Sequence, residues 1–181
     1  QGVVPENPII FDADGSMTDD MLGVGASNGI LGFAAIRFAD TNRAEFISGW
    51  AVLNGRLASL DATFEQTVLH ELGHFLGLDH SQGLIENYFE LDQHAAEVPV
   101  MFPYGGDARL PSEPIADDIS WLSWIYPDSE YEFQTGTITG QVFLFQRNGP
   151  PLQGANVSAI PAIPDGNGGY SSSRAGIVSV V

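Results

Sequence analysis

Three of the four histidines, His70, His74 and His80, fall within the stretch Phe64 to Ser81, FEQTVLHELGHFLGLDHS, and Glu71 follows the first of them directly. A helix turns about 100° per residue, so residues four apart lie one turn apart on the same face. His70 and His74 have that spacing, which lets both imidazoles reach one metal ion. Glu71 projects beside the pair, within reach of a water held at the metal. Gly77 then ends the helix, because glycine adopts the left-handed conformation of a helix C-terminus at little cost. The turn it makes brings His80 back as a third ligand. Three neutral nitrogens leave the fourth tetrahedral position of zinc open, as in catalytic sites, whereas a structural zinc wants four protein ligands and usually cysteine. The chain has no cysteine. The chemistry implied is metal-assisted hydrolysis with Glu71 as general base. The same ligands would accept cobalt or copper. Histidines satisfied within an amphipathic helix are the bland alternative, against which the combination of His-Glu-x-x-His, Gly77 and His80 is highly specific.

The elements that must position these residues can be read on either side of them. Phe64, Val68, Leu72, Phe75 and Leu76 form an apolar stripe that should bury the helix. Upstream, Val3 to Phe11 reads as extended, with Ile9, Ile10 and Phe11 as a short buried strand. A glycine-rich loop, Gly23 to Asn28, leads to a strand over Gly29 to Phe38, a turn at Asp40 to Asn42, and a second strand from Ala44 to Leu53 closed by Asn54-Gly55. Downstream, Leu84, Ile85, Tyr88, Phe89 and Leu91 suggest a short helix beside the cleft, and His94 reads as a surface residue. Ser112 looks like an N-cap, with Glu113 and Pro114 in the first turn and Asp117-Asp118 after them. Ile115, Ile119, Leu122 and Ile125, with Trp121 and Trp124 as core, complete a helix that ends before Pro127.

At these residues the chain resembles the metzincin clan of zinc endopeptidases, whose consensus is H-E-x-x-H-x-x-G-x-x-H, and Ser81 is similar to the matrixin branch. Val100-Met101-Phe102-Pro103-Tyr104 resembles the clan's methionine turn, with Met101 packed under the metal. The resemblance spans roughly Leu31 to Tyr126. It implies an α+β zincin, a mixed sheet packed on an active-site helix with a C-terminal helix, that acts on a protein or peptide substrate. It also implies that the strand Leu31 to Ile36 pairs with extended substrate, so that Leu31, Gly32, Phe33 and Ala34 contact it. An ordinary sheet edge reads the same way. Tyr104 would be a wall of the cleft, and Gly105 to Pro111 the rim of the pocket for the side chain after the cut bond. One departure stands out: metzincin domains begin with a strand and a long helix, yet only 69 residues precede His70. No long amphipathic pattern occurs among them. Either the fold is trimmed or its start lies on an upstream segment; the second is the expectation.

A carboxylate-rich turn runs from Asp12 to Asp20. Asp12, Asp14 and Asp19 are candidate calcium ligands, since alternating oxygen donors suit a hard cation, although Gly15 sits too early for an EF-hand loop. A solvated Asx-type turn is the other reading. With a net charge of −17, no lysine and six arginines, the surface repels phosphate backbones and anionic lipids. Nucleic-acid partners and membrane insertion are therefore not expected, and acidity fits a secreted protein. Residues 1–134 form the expected catalytic domain, with Asp128 to Gln134 as a linker. Beyond it, Thr135 to Phe145 and Ala155 to Ile160 alternate like strands. Gly136-x-Ile138-x-Gly140-x-Val142 and Pro151-Leu152-x-Gly154-Ala155-x-Val157 resemble the start of carboxypeptidase regulatory-like β-sandwich modules. Residues 135–181 would be a partial module, because such a sandwich needs about seven strands. Its open edges invite pairing with another chain or with sequence outside this one. A structural or assembly protein built on a metzincin shell is thus the second functional expectation.

Overall fold

Asp40 sets the central hairpin. In a computed structural model of the chain its carboxylate accepts a hydrogen bond from the Asn42 amide (2.9 Å), an Asx turn. The structure describes residues 6–43, 45–58, 62–82, 88–172 and 178–180. The turn joins β2 (Gly32–Asp40) to β3 (Glu45–Asn54) in antiparallel register, Gly32 opposite Leu53 and Asp40 opposite Glu45. β1 (Ile9–Asp12) pairs with the other side of β3 in parallel, giving the order β1-β3-β2. The fold is α+β, with a small mixed sheet. β3 carries its core: Ala51, Val52 and Leu53 are buried, as a strand flanked on both sides and covered by a helix must be. β1 is an edge, and there the expectation of a buried strand fails. Ile9 and Phe11 are each 54% exposed, and the buried residue is Asp12. The Asp12 carboxylate is drawn inward because it accepts from the Thr18 amide and hydroxyl and caps α1 (Ser16–Leu22).

α2 (Ala62–Phe75) packs on β2 and β3. It ends where expected, at Gly77 with φ +98°. The Leu78 amide donates to the Gly73 carbonyl (2.9 Å) and the Gly77 amide to that of His74 (3.0 Å), the paired bonds of a Schellman cap. The buried face of α2 differs from the apolar stripe read in the sequence. Gln66, Thr67, Glu71 and Gly73 are buried, Phe64, Val68, Leu72 and Phe75 are half-buried, and Leu76 is exposed. The sheet covers one side of the helix, and the chain from Pro99 to Pro111 covers the polar side, offering backbone partners to its side chains.

A second apolar cluster forms from Leu91, Val98 and Phe102, with Tyr88, Ala95 and Leu110 against it. Tyr88 and α3 (Leu91–His94) supply the element expected beside the cleft, while Leu84 and Ile85 lie outside the described residues. His94 sits between Glu97 (3.1 Å) and Glu90 (3.6 Å). α4 (Ala116–Ile125) starts later than the Ser112 cap would place it. Pro114 disfavours helical geometry in the residue before it, and Asp118 reaches back to the Ile115 amide (2.9 Å) as the actual cap. The tryptophans are also not core as expected: Trp124 is 64% exposed and stands edge-on to a half-buried Trp121, because α4 turns its Asp117-Asp118 side inward instead.

After α5 (Tyr131–Gln134), which gives the expected linker one helical turn, the chain opens out. Thr135 to Phe145 forms no strand, contrary to its alternation; a single bridge links Phe143 to Pro151, and Ile138 and Phe145 are 90% and 98% exposed. Alternation alone makes no strand without a neighbour to bond. Where neighbours exist there are short ladders: β4 (Val157–Ala159) with β7 (Val178–Val180), and β5 (Ala162–Pro164) with β6 (Tyr170–Ser172). β7 lies against α4, and Asn156 Nδ2 donates to the Gln82 carbonyl (2.6 Å).

Candidate metal centre and cleft

The three histidines of the motif converge. Their Nε2 atoms form a near-equilateral triangle, with His70–His74 at 3.1 Å, His74–His80 at 3.2 Å and His70–His80 at 3.3 Å. His70 Nδ1 lies 2.7 Å from the Val100 carbonyl and His74 Nδ1 lies 2.9 Å from the Leu78 carbonyl. A carbonyl only accepts, so each Nδ1 carries the proton and each of these Nε2 atoms presents a lone pair. Protonating a ring to relieve the crowding is unfavourable. Burial, followed by the neighbouring imidazoles, holds His70 down to about 4 despite the Val100 bond, and burial depresses His80 as well. A metal ion fits instead. Tetrahedral coordination at about 2.0–2.1 Å sets nitrogens about 3.3 Å apart, close to the observed triangle. No other group of three such donors converges among the described residues.

Glu71 stands beside the triangle and is buried, and its Oε2 has no hydrogen-bond partner among the described residues. Burial pushes its carboxyl up to about 7; a cation at the histidines would pull it back toward the ionised form. β2 crosses directly over it. A Cβ on Gly32 would stand 2.8 Å from Glu71 Cγ and 3.0 Å from Oε1, so a bare backbone is needed at that crossing.

A cavity of about 460 Å³ opens in front of the triangle. Its floor is the polar face of α2, Gln66, Thr67, His70, Glu71 and His74. One wall is the start of β2 with the residue before it, Leu31, Gly32, Phe33 and Ala34. The opposite wall holds Tyr88, Phe102 and Tyr104, whose rings pack at 5.2 to 5.8 Å. All five residues expected to contact substrate therefore line the same cavity as the histidines. β2 is an outer strand of its sheet, so its far edge pairs with no strand among the described residues.

Behind the histidines, Met101 is buried and its Sδ packs against Gly73 in the last turn of α2. The chain there is held by two carboxylates from α4, one on its backbone and one on a side chain. Asp118 accepts from the Val100 amide (3.0 Å), the Met101 amide (3.0 Å) and Ile115, and Asp117 accepts from the Ser81 hydroxyl. The Ser81 amide donates to the Met101 carbonyl (2.8 Å). Burial pushes the Asp118 carboxyl up more than its three amides pull it down. The sequence suggested only a helix start at this pair. A better signal was available: two adjacent acids at the head of a helix otherwise rich in Ile, Leu and Trp.

Asp12, Asp14 and Asp19 are not brought together as ligands. Asp12 accepts from the Thr18 amide (2.7 Å), the Thr18 hydroxyl (2.8 Å) and the Met17 amide (3.3 Å). Asp14 accepts from the Ser16 amide (3.0 Å) and Asp19 from that of Ser27 (2.8 Å). Asn54 Nδ2 then donates to the Ser27 and Ile30 carbonyls (2.9 and 2.7 Å). The acidic turn thus fixes the loop that delivers Leu31 and Gly32 to the cleft.

No helix among the described residues is long and apolar enough to cross a membrane. No family model, no curated protein and no solved structure matches this chain.

Proposed function

We propose that the chain is a zinc-dependent endopeptidase of the metzincin type, closest to the matrixins, that hydrolyses peptide bonds in protein or peptide substrates. The observation that carries this reading is the convergence of three Nε2 atoms at 3.1 to 3.3 Å, two of them fixed as acceptors by carbonyls on their Nδ1 atoms, beside a buried carboxylate oxygen without a partner among the described residues. His70, His74 and His80 would hold the metal. When bound, zinc supplies a Lewis acid that polarises a carbonyl and acidifies water. The Val100 and Leu78 carbonyls fix two of the rings in the tautomer that ligation requires. Glu71 takes a proton from the attacking water and delivers it to the leaving amine nitrogen as the C–N bond breaks. The outer edge of β2 offers backbone groups to an extended substrate, and Gly32 brings that strand close over Glu71.

Glu71→Gln is the direct test. The variant keeps the shape of the site and removes the base, so zinc content measured by elemental analysis is expected to stay near one per chain. Casein digestion is expected to fall by about a hundredfold or more. Cleavage at the wild-type rate would end this assignment.

A second reading, assembly through residues 135–181, is favoured by the exposure there of Ile138, Phe145, Val157 and Ile163 around two-stranded ladders. Ladders this small are marginal in water unless another strand or layer joins them. Deleting everything after Gln134 is expected to spare peptidase activity and to reduce the mass measured by light scattering to that of a monomer. Identical monomers before and after deletion would sink the pairing.

A further inference from the structure

From Phe133 to Val142 every residue is exposed, and from Gly136 to Gln141 no backbone hydrogen bond is formed among the described residues. A peptidase cleft takes in opened chain, so exposed segments with no bonds to break are cut in preference to folded ones. The chain from Pro99 to Pro111 also lacks helix and strand, but it is strapped down. Met101 and Phe102 are buried there, the Leu110 carbonyl accepts from Gln66 (2.6 Å), and Arg109 pairs with Asp92 and Asp107. Charge points the same way. No charged residue occurs between Glu132 and Arg147, in a chain whose net charge is −17. The cavity is lined by no arginine and by one carboxylate, Glu71. An acidic stretch entering it would lose hydration without a cationic side chain to meet it, a cost that Thr137-Ile138-Thr139 does not carry. These β-branched residues favour a strand yet have no neighbour to bond. The outer edge of β2, beside the cavity, likewise pairs with no strand among the described residues. One chain therefore carries both an unpaired strand and an unpaired edge to receive it.

We propose that a second copy of this chain is a substrate: its segment Gly136 to Val142 adds to the outer edge of β2, and a peptide bond within that segment is hydrolysed. This processing rests on the peptidase reading above. No residue after Pro111 lines the cavity, and the segment leaves the catalytic domain after α4, which lies behind the histidines. The copy that is cut is therefore a neighbouring one. The hydroxyl of the attacking water bonds to the carbonyl carbon and the C–N bond breaks. The water proton passes through Glu71 to the amine nitrogen, leaving a new carboxylate and a new amine. His70, Glu71, His74 and His80 all stay on the N-terminal piece. The C-terminal piece carries β4 to β7 and is then joined to it through non-covalent contacts, such as those of Asn156 with Gln82 and of β7 with α4.

The test uses the full chain twice: an isotope-labelled Glu71→Gln chain as substrate and the unlabelled, zinc-loaded wild type as enzyme, with new chain ends read by mass spectrometry. Alone, the labelled chain is expected to stay intact. With wild type added it is expected to split at a bond between Gly136 and Val142, at an initial rate proportional to the wild-type concentration. Ile138 is exposed, so its replacement leaves the fold alone. Ile138→Asp in the labelled chain is expected to slow the split at least about tenfold, while the same change in the enzyme leaves casein digestion unchanged. Casein digestion with the labelled chain left intact, or cut elsewhere, would overturn self-processing and retain the peptidase. An equal rate for the Ile138→Asp chain would overturn recognition of this segment. Splitting of the labelled chain without wild type would show that Glu71 does not make the cut, and would overturn the processing. Neither casein nor the labelled chain cut would reject the peptidase and its processing together.

Discussion

Two regions of this chain gather side chains of the kind that hold metals, the acidic turn from Asp12 to Asp19 and the helix and turn from His70 to His80, and they dispose of their lone pairs in opposite ways. In the acidic turn the carboxylates point at backbone amides: Met17 and Thr18 on Asp12, Ser16 on Asp14, Ser27 on Asp19. The acids serve as partners for N–H groups that a short helix and its flanking turns cannot pair internally. In the cleft the rings of His70 and His74 spend their one hydrogen on carbonyls, and their remaining nitrogens present lone pairs to each other and to His80. Glu71 adds a buried oxygen with no partner among the described residues. Residue type alone does not separate structure from function here; what separates them is where the groups aim, the acids at backbone amides and the ring nitrogens at one another. An unfilled buried acceptor such as Glu71 Oε2 costs about 1–3 kcal/mol, which a partner bound in the cleft would recover.

The largest break in this contrast is His74→Ala. Removing one vertex of the triangle is expected to abolish stoichiometric zinc binding and peptide cleavage together, read by elemental analysis and casein digestion. Asp12→Asn, the matching change in the acidic turn, is expected to leave zinc content unchanged. If zinc stays with the His74 variant, the metal is held elsewhere and the contrast fails.

Asp118→Asn comes next in size. Asp118 grips the Val100 and Met101 amides, and the Val100 carbonyl in turn orients His70. An asparagine would turn an NH₂ group toward one of those donors. Metal affinity is expected to fall about ten- to a hundredfold and unfolding free energy by about 2 kcal/mol, measured by chelator competition and urea titration. A loss of stability with affinity untouched would make this carboxylate a support of the fold alone.

How far the sequence discloses all this follows from the range of each interaction. The histidine triangle was legible because it is local: a four-residue helical spacing, a glycine and a three-residue return fix it with little help from the rest of the chain. The β2–β3 hairpin was legible for the same reason, through Asp40 to Asn42 and the alternation on either side. The acids of α4 were not, since Asp118 finds Val100 and Met101 across seventeen or more residues of sequence, and a carboxylate beside a helix start reads first as a cap. Gln66 was missed as part of the cavity floor because nothing in its type shows that its amide will be buried against Leu110. The tryptophans misled because apolar residues were assumed to face inward, whereas Asp117 and Asp118 claimed that side of the helix. Thr135 to Phe145 misled because alternation records a preference for a sheet without supplying its neighbour.

The smallest effect, and the sharpest test of the contrast, is calcium. If the turn at Asp12 to Asp19 were a cation site, a folded-state ligand would raise the melting temperature by mass action. The hydrogen bonds predict otherwise. Asp12 has its oxygens on Thr18 and Met17, and a calcium ion would have to compete with those amides and with the Ser16 and Ser27 amides on Asp14 and Asp19. Melting curves with zinc held constant are therefore expected to coincide with and without millimolar calcium. Asp12→Asn is expected to lower the melting temperature at neutral pH by a few degrees in both conditions, because an amide accepts less strongly from N–H donors than a carboxylate does. The pH dependence has a definite sign. Burial pushes the Asp12 carboxyl up, but the Thr18 and Met17 bonds outweigh it and hold the group below its ordinary value. Its contribution is then complete above the unfolded carboxylate pKa, about 3.9, and is lost as pH falls through the lower folded value. The gap between wild type and Asp12→Asn should accordingly close in acid. A calcium-dependent rise in melting temperature that Asp12→Asn removes would instead make the turn a metal site, and satisfied backbone bonds would no longer distinguish the two regions.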